Sequence, residues 1–263
     1  TAAALSCVGA LLVTRQAAVQ TLAVSQGAGL GVSLGLLASS VWLGDSHLEH
    51  TIAPVAVGLG FGSLSFALTE TLARRCVTPA VVYLGSFALL WALTQLVTGF
   101  FPSVESHNAA IYFGDVVTLT IGESFFFFLL ASLSCTYLAA NWRALSERAF
   151  LASILETPFD FRNRIDLSFY LLTLLLLCFS VQLLGLLFTL SCLFLPTAIY
   201  SFSPRIGVAR HLARVSAAAA LAALVGFSWS LAEPRLLTTP FISLLLAALP
   251  ALHLAAERLF RCK

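Results

Sequence analysis

Histidines and carboxylates concentrate in two short polar segments, and this combination of side chains can bind a metal ion. The first segment carries two histidines and two carboxylates, and the second carries one of each. The residues are Asp45, His47, Glu49, His50, Glu105 and His107. Imidazole with carboxylate suits Zn²⁺ or Mn²⁺. The segments form a metal site only if they meet in space; otherwise they are ordinary polar loops in water.

A few other polar residues lie within or beside long apolar runs: Gln20, Gln26, Asp115 and Glu123. Asp115 can cap a following helix or line a substrate pathway. Glu123 lies further in, which favours a pathway role, a hydrogen bond between helices or a position near the membrane interface. The two glutamines can join helices through their amides or contact a polar substrate.

The elements that must position these residues are predicted from composition. The chain is 59% hydrophobic and 10% charged, whereas soluble domains carry about 25% charged residues. This small number of charged residues cannot cover the surface of a protein of this size in water. Lipid must therefore be its main solvent. We predict an all-α, polytopic transmembrane helix bundle of about eight or nine spans.

Each predicted span is an apolar run bounded by polar residues. The runs cover about 2–14, 18–43, 52–73, 78–101, 116–141, 166–183, 185–202, 212–232 and 238–257. The stretch from Ile165 to Phe202 is too long for one span of ~20 residues. We divide it at Gly185, where Gln182 and the glycine predict a tight reversal.

Glycines recur along the second and third predicted spans, and such small residues predict close packing of helices. They are Gly27, Gly29, Gly31, Gly35, Gly58, Gly60 and Gly62.

The basic residues predict one orientation. If successive spans alternate, all of the 14 lysines and arginines except Arg235 fall on one side. The positive-inside rule places that side in the cytoplasm. The N-terminus is then outside, the C-terminus is cytoplasmic, and the histidine-bearing segments face outward. We predict a single transmembrane domain, 1–263, whose longest inner loop, about 142–165, can dock a cytoplasmic partner.

Catalytic signatures are absent from the sequence. No nucleophile motif joins the serines, histidines and aspartates, and there is no Walker A motif, so the chain cannot hydrolyse ATP by the P-loop route. The cysteines form no metal-binding pattern, and no basic tract indicates nucleic acid. We therefore expect a protein that is not an enzyme, binds no cofactor itself and has the lipid bilayer as its surroundings.

Four collinear motifs resemble the permease subunit of the zinc/manganese class of bacterial ABC importers. The first opens on Gly185 and closes on Pro196-Thr-Ala198. The others are Tyr112-Phe-Gly-Asp115, the glycine-rich stretch from Gly31 to Leu37, and Ala149-Phe150 in the inner loop. Their order and spacing agree with the family from about residue 5 to residue 250.

The resemblance implies a multi-pass subunit of the bacterial inner membrane that imports a divalent metal such as zinc or manganese. Its partners would be a cytoplasmic ATP-binding subunit, which brings ATP and Mg, an extracytoplasmic substrate-binding protein and a second permease. The residues implied in ATPase coupling are Glu147, Ala149, Phe150 and Leu151.

The sequence departs from this family at its metal ligands. The family carries Asp-x-x-x-His on the second helix, where this chain has Leu22 and Gln26 or, with a shifted match, Gln20 and Val24. The loss favours an alternative, a degenerate permease-like subunit that serves as a scaffold without moving metal. A secondary transporter is less favoured, because charged residues are nearly absent from the middle of the spans.

Overall fold

The structure is a computed structural model that describes residues 1–42, 47–75, 78–101, 121–155, 163–201, 207–232 and 238–261. Within these ranges every regular element is an α-helix and no strand occurs, which confirms the all-α fold class. The helices are α1 (Ala2–Thr14), α2 (Ala18–Trp42), α3 (His47–Ala73), α4 (Pro79–Phe100), α5 (Ile121–Ala140), α6 (Trp142–Leu155), α7 (Arg164–Leu184), α8 (Leu186–Tyr200), α9 (Val208–Ala232) and α10 (Thr238–Arg261).

The helix lengths refine the predicted number of spans. Six of the described helices are long and apolar enough to cross a membrane, and a seventh span results if α5 and α6 count as one bent pair. The helices α1 and α8 are apolar but shorter. The predicted eight or nine spans are reached only when these two are included. The predicted orientation, with the N-terminus outside, stays a prediction.

The predicted division at Gly185 is confirmed as a helix break. Gly185 separates α7 from α8 and has a φ of 86°. This left-handed conformation is open to glycine but strained for most other residues. The sequence therefore supplies the one residue type that ends a helix there without strain.

The described contacts group the chain into two compact units, and neither is one continuous stretch. The first contains Thr1–Gln16, Asp115–Ser168 and Leu187–Lys263. Within it, α1 packs against α5, α6 and α9, and α9 packs against α10. Arg214 on α9 forms an ion pair with Glu257 on α10, with 2.7 Å between Nη2 and Oε1.

The second unit contains Ala17–Gly114 and Phe169–Leu186. Its central helix is α2, which packs against α3 and α4 and is the most buried of the long helices. From α7, the ring of Tyr170 lies 4.6 Å from the ring of Phe66 on α3, measured between centroids. The helix α7 belongs to the first unit up to Ser168 and to the second from Phe169 onward.

Candidate functional site

The two predicted pathway glutamines on α2 are both buried. Gln20 is 1% exposed and Gln26 is 3% exposed. The Gln20 amide donates a hydrogen bond to Glu70 on α3, with 3.1 Å between Nε2 and Oε2. The other carboxylate oxygen of Glu70 accepts from Arg74 Nε, also at 3.1 Å. Gln20 therefore joins two helices, as one of its two interpretations predicted.

The remaining predicted pathway residues lie in or next to a range that the structure leaves out. Asp115 is outside the described residues. Glu123 belongs to the first turn of α5, and its side chain lies outside the described part. Their predicted roles stay predictions.

The predicted outer metal residues fall in the same category. Asp45, Glu105 and His107 are outside the described residues. His47, Glu49 and His50 belong to the first turns of α3, and their side chains are likewise outside the described part. In the ranges that the structure does describe, no three His, Cys, Asp or Glu side chains come together as a metal site.

A glycine face on α2 lets α3 approach closely. A Cβ added to Gly31 would lie 2.7 Å from the Val57 carbonyl oxygen and 2.8 Å from the Gly58 Cα on α3. Gly27 and Gly35, one helical turn away on either side, are equally close to α3. Because glycine at every fourth position carries no side chain, α2 and α3 can approach closely along this face. Small residues stabilise helix pairs in membranes in this way. This confirms the predicted packing role.

Gly60 on α3 is an exception to the predicted packing role of the glycines. No other atom would lie within 4 Å of a Cβ added there. The packing interpretation is wrong for this position, because Gly60 lies on the exposed side of α3.

The predicted coupling residues lie on α6, which forms an angle of 76° with α5 across a break at Asn141. Phe150 is 63% exposed, Leu151 is 48% exposed, and Glu147 is exposed beside them. Ala149 is fully buried, as is Leu145 one turn earlier. Ala149 therefore lies on the face of α6 that packs inside the first unit, while Glu147, Phe150 and Leu151 are exposed.

A buried ion pair is the main feature that the sequence did not indicate. Arg15 follows α1, Asp166 lies in the first turn of α7, and 3.0 Å separates Nη1 from Oδ1. Their side chains are 0% and 6% exposed. Burial lowers the pKa of the Arg15 guanidinium, an effect that the Asp166 carboxylate opposes, and a guanidinium stays protonated in proteins.

The sequence carried only a weak signal for this pair. Arg15 was one of many basic residues assigned to the cytoplasmic side. An acidic residue in the first turn of a helix is explained well enough by the helix dipole. Because 151 positions separate the two residues in the chain, no local pattern could join them.

The first turn of α7 also bonds to α5. The Tyr137 hydroxyl, one turn before the end of α5, hydrogen-bonds the Ser168 hydroxyl and donates to the Ile165 carbonyl at 3.4 Å. Asn163 accepts from the backbone N–H of Ile165 at 2.9 Å, which orders the start of α7. The beginning of α7 is thus attached to both α1 and α5.

The Gly185-to-Pro196 motif forms α8, and α1 completes its hydrogen bonding. Pro196 has no N–H, so it cannot donate to the carbonyl of Cys192, four residues earlier. The Ser6 hydroxyl on α1 donates to that carbonyl instead, at 2.6 Å. Gly9, on the same face of α1, leaves room for the α8 backbone, because a Cβ there would overlap Leu193.

Helices of this number and apolarity are those of a multi-pass membrane protein. The solved structure of PsaBC from Streptococcus pneumoniae in complex with Fab contains a chain of the same fold. The TM-score is 0.72 at 15% identity, and the match covers 95% of this chain and 86% of that chain. No protein-family model and no curated protein matches the sequence.

Proposed function

We propose that this chain is the membrane-spanning permease subunit of an ABC-type importer, driven by a separate cytoplasmic ATPase. The observation that carries this proposal is α6. It follows a sharp bend, it is held by a buried face, and it presents Phe150, Leu151 and Ile154 outside that face. A short helix of this kind suits a groove on a partner better than it suits a membrane crossing.

Two further observations support the proposal. The four sequence motifs resemble the permeases of zinc/manganese importers, and the overall fold is shared with the PsaBC chain. In this proposal ATP binding and hydrolysis by the partner, with Mg²⁺, move α6 and thereby the spans. A second permease completes the pathway, and a substrate-binding protein delivers the substrate on the outer side of a bacterial inner membrane.

The substrate that we propose is a divalent metal such as zinc or manganese. This rests on the resemblance and on the outer histidines and carboxylates, whose chemistry suits these ions. The metal ion would bind only transiently as it crosses the spans, since α2 supplies amide side chains and no imidazole–carboxylate pair.

The second candidate function is a permease-like scaffold that holds partners without moving metal. The replacement of the family's ligand pair favours it. So does the use of Gln20, one of the residues at those positions, for a bond to Glu70.

One experiment separates the two candidates. The chain is purified in mild detergent, and proteins that co-purify are identified. The complex is then reconstituted into liposomes loaded with MgATP, which drives those complexes whose cytoplasmic face lies inside the liposome. Uptake of zinc or manganese that depends on ATP, and is absent with an ATPase subunit unable to hydrolyse it, supports the importer. A bound ATPase without uptake supports the scaffold. The absence of any ATPase contradicts the importer.

A further inference from the structure

The ion pair between Arg15 and Asp166 has no part in the proposed pathway or docking face. Both side chains are almost completely removed from solvent. Burying two charges costs desolvation energy that the ion pair often fails to repay, so a buried pair is weak evidence of a contribution to stability. Its position in the fold indicates a different role.

Both residues lie close to points where the chain leaves the first unit for the second. Arg15 ends α1, and the chain passes into the second unit between Gln16 and Ala17. Asp166 lies on α7, which passes into the second unit between Ser168 and Phe169. The pair therefore joins the start of the chain segment leading into α2 to the first turn of α7.

The helix α6 packs against α1, the helix that Arg15 follows. Its residues Leu145 and Ala149 are fully buried. Arg148 on α6 lies near enough to Arg15 to interact electrostatically with it, and this like-charge repulsion opposes the attraction of Asp166. Tyr137, near the end of α5, donates a hydrogen bond to the Ile165 carbonyl in the first turn of α7, so the helix that precedes α6 is attached to that turn.

We propose that the Arg15–Asp166 pair is a positioning link that transmits displacement of α6 to α7 and to the start of α2. The inference rests on the proposed function, because a cytoplasmic partner must displace α6. When α6 moves, α1 moves with it through their packed face. The ion pair then moves the first turn of α7, because breaking a buried pair leaves an uncompensated buried charge and is strongly destabilising.

The link itself is tested on the full chain in lipid nanodiscs by hydrogen exchange. Asp166→Asn keeps the shape of the side chain and removes its charge. We expect amide exchange to rise about tenfold over α6 and the last turn of α1, as well as at the start of α7. The matched control is Glu257→Gln, which breaks a different ion pair of the first unit, between α9 and α10, and is expected to leave exchange in α6 unchanged. Faster exchange confined to the first turn of α7 would overturn the proposal.

Its role in coupling is tested in the complex with the ATPase. Asp166→Asn is expected to retain the ATPase, since the exposed face of α6 is unaltered, while transport per ATP hydrolysed falls about tenfold. Arg15→Lys keeps the positive charge, so its transport per ATP hydrolysed is expected to stay close to the wild-type value. A proportional loss of uptake and ATP hydrolysis, with their ratio unchanged, would contradict a positioning role.

The two proposals can fail separately. If the wild-type chain binds no ATPase, both the importer and the coupling role are wrong, whatever the exchange data show. If wild-type coupling is normal and Asp166→Asn leaves the ratio unchanged, only the link is wrong. Should Asp166→Asn fold poorly, the double variant with the charges exchanged, Arg15→Asp with Asp166→Arg, is tested in its place. If it retains part of the wild-type transport per ATP hydrolysed, the link is supported; if it retains none, the link is contradicted.

Discussion

Ser6 replaces the hydrogen bond that proline removes from α8. We expect Ser6→Ala to leave the Cys192 carbonyl buried without this donor, which lowers the free energy of unfolding by about 1–3 kcal/mol. In Pro196→Ala the backbone N–H returns to that carbonyl, so Ser6→Ala should cost less in this background. Unfolding of the four variants in detergent measures the coupling between the two positions. Equal costs in both backgrounds would show that the Ser6 bond does not compensate for the proline.

Gly31 and Gly60 allow the same substitution in tight and open surroundings. Alanine at Gly31 meets the backbone of α3, and overpacking of this kind costs about 1–3 kcal/mol. Alanine at Gly60 meets nothing within 4 Å and gains about 0.5–1 kcal/mol from its better helix propensity. We expect Gly31→Ala to lower and Gly60→Ala to maintain or raise the thermal unfolding temperature. A similar shift in both would mean that α2 and α3 are not in backbone contact.

At the scale of elements, α6 provides the sharpest prediction. Phe150→Asp replaces an apolar ring that is 63% exposed by a charge. In the proposed importer it should release the ATPase or uncouple hydrolysis from uptake, with little loss of stability because most of the residue lies outside the packed interior. Phe150→Leu, which retains an apolar side chain, is the control. Co-purification and the uptake-to-hydrolysis ratio measure the effect. An intact, fully coupled Phe150→Asp complex would exclude this face as the docking surface.

The helices were largely predictable from the sequence, whereas their partners were not. The length of an apolar run and the residues that end it, such as Gly185 and the polar loop residues, are local properties of the sequence. The helix α2 was therefore predicted at 18–43 and is found at Ala18–Trp42. The glycine stripe indicated close packing, but its neighbour α3 and the exclusion of Gly60 depend on helix rotation. The pairing of Arg15 with Asp166 depends on tertiary contact between residues 151 positions apart, so local sequence patterns could not predict it.

For the whole molecule, the sorting of basic residues predicts which ends of the helices face the cytoplasm. In a cysteine-free background, single cysteines at positions 47 and 107 should react with an impermeant maleimide in intact cells. Cysteines at positions 148 and 263 should react only after lysis. The physical reason is the cost of moving arginine and lysine across the membrane during insertion. Reaction at position 47 only after lysis would reverse the topology.

Metal content tests the chain as a whole. We expect no tight site within the spans and at most weak binding at the outer residues. The reason is that amide and apolar side chains stand where the family that the sequence resembles carries its ligand pair. Elemental analysis of the purified protein should find well under one equivalent of zinc or manganese, and the triple variant of His47, His50 and His107 to alanine should bind less. One equivalent retained by both proteins would place an undetected site elsewhere.

The bond between Ser6 and Cys192 also has a consequence for biosynthesis. The two residues are 186 positions apart, and ribosomes add about 5–20 residues per second, so roughly 10–40 s separate their synthesis. When α8 emerges, its proline has already left a carbonyl without a backbone donor, and a bilayer interior offers no water to replace it. The helix α1 must therefore remain near the insertion machinery until α8 arrives, which makes membrane assembly of α8 dependent on a helix made long before it.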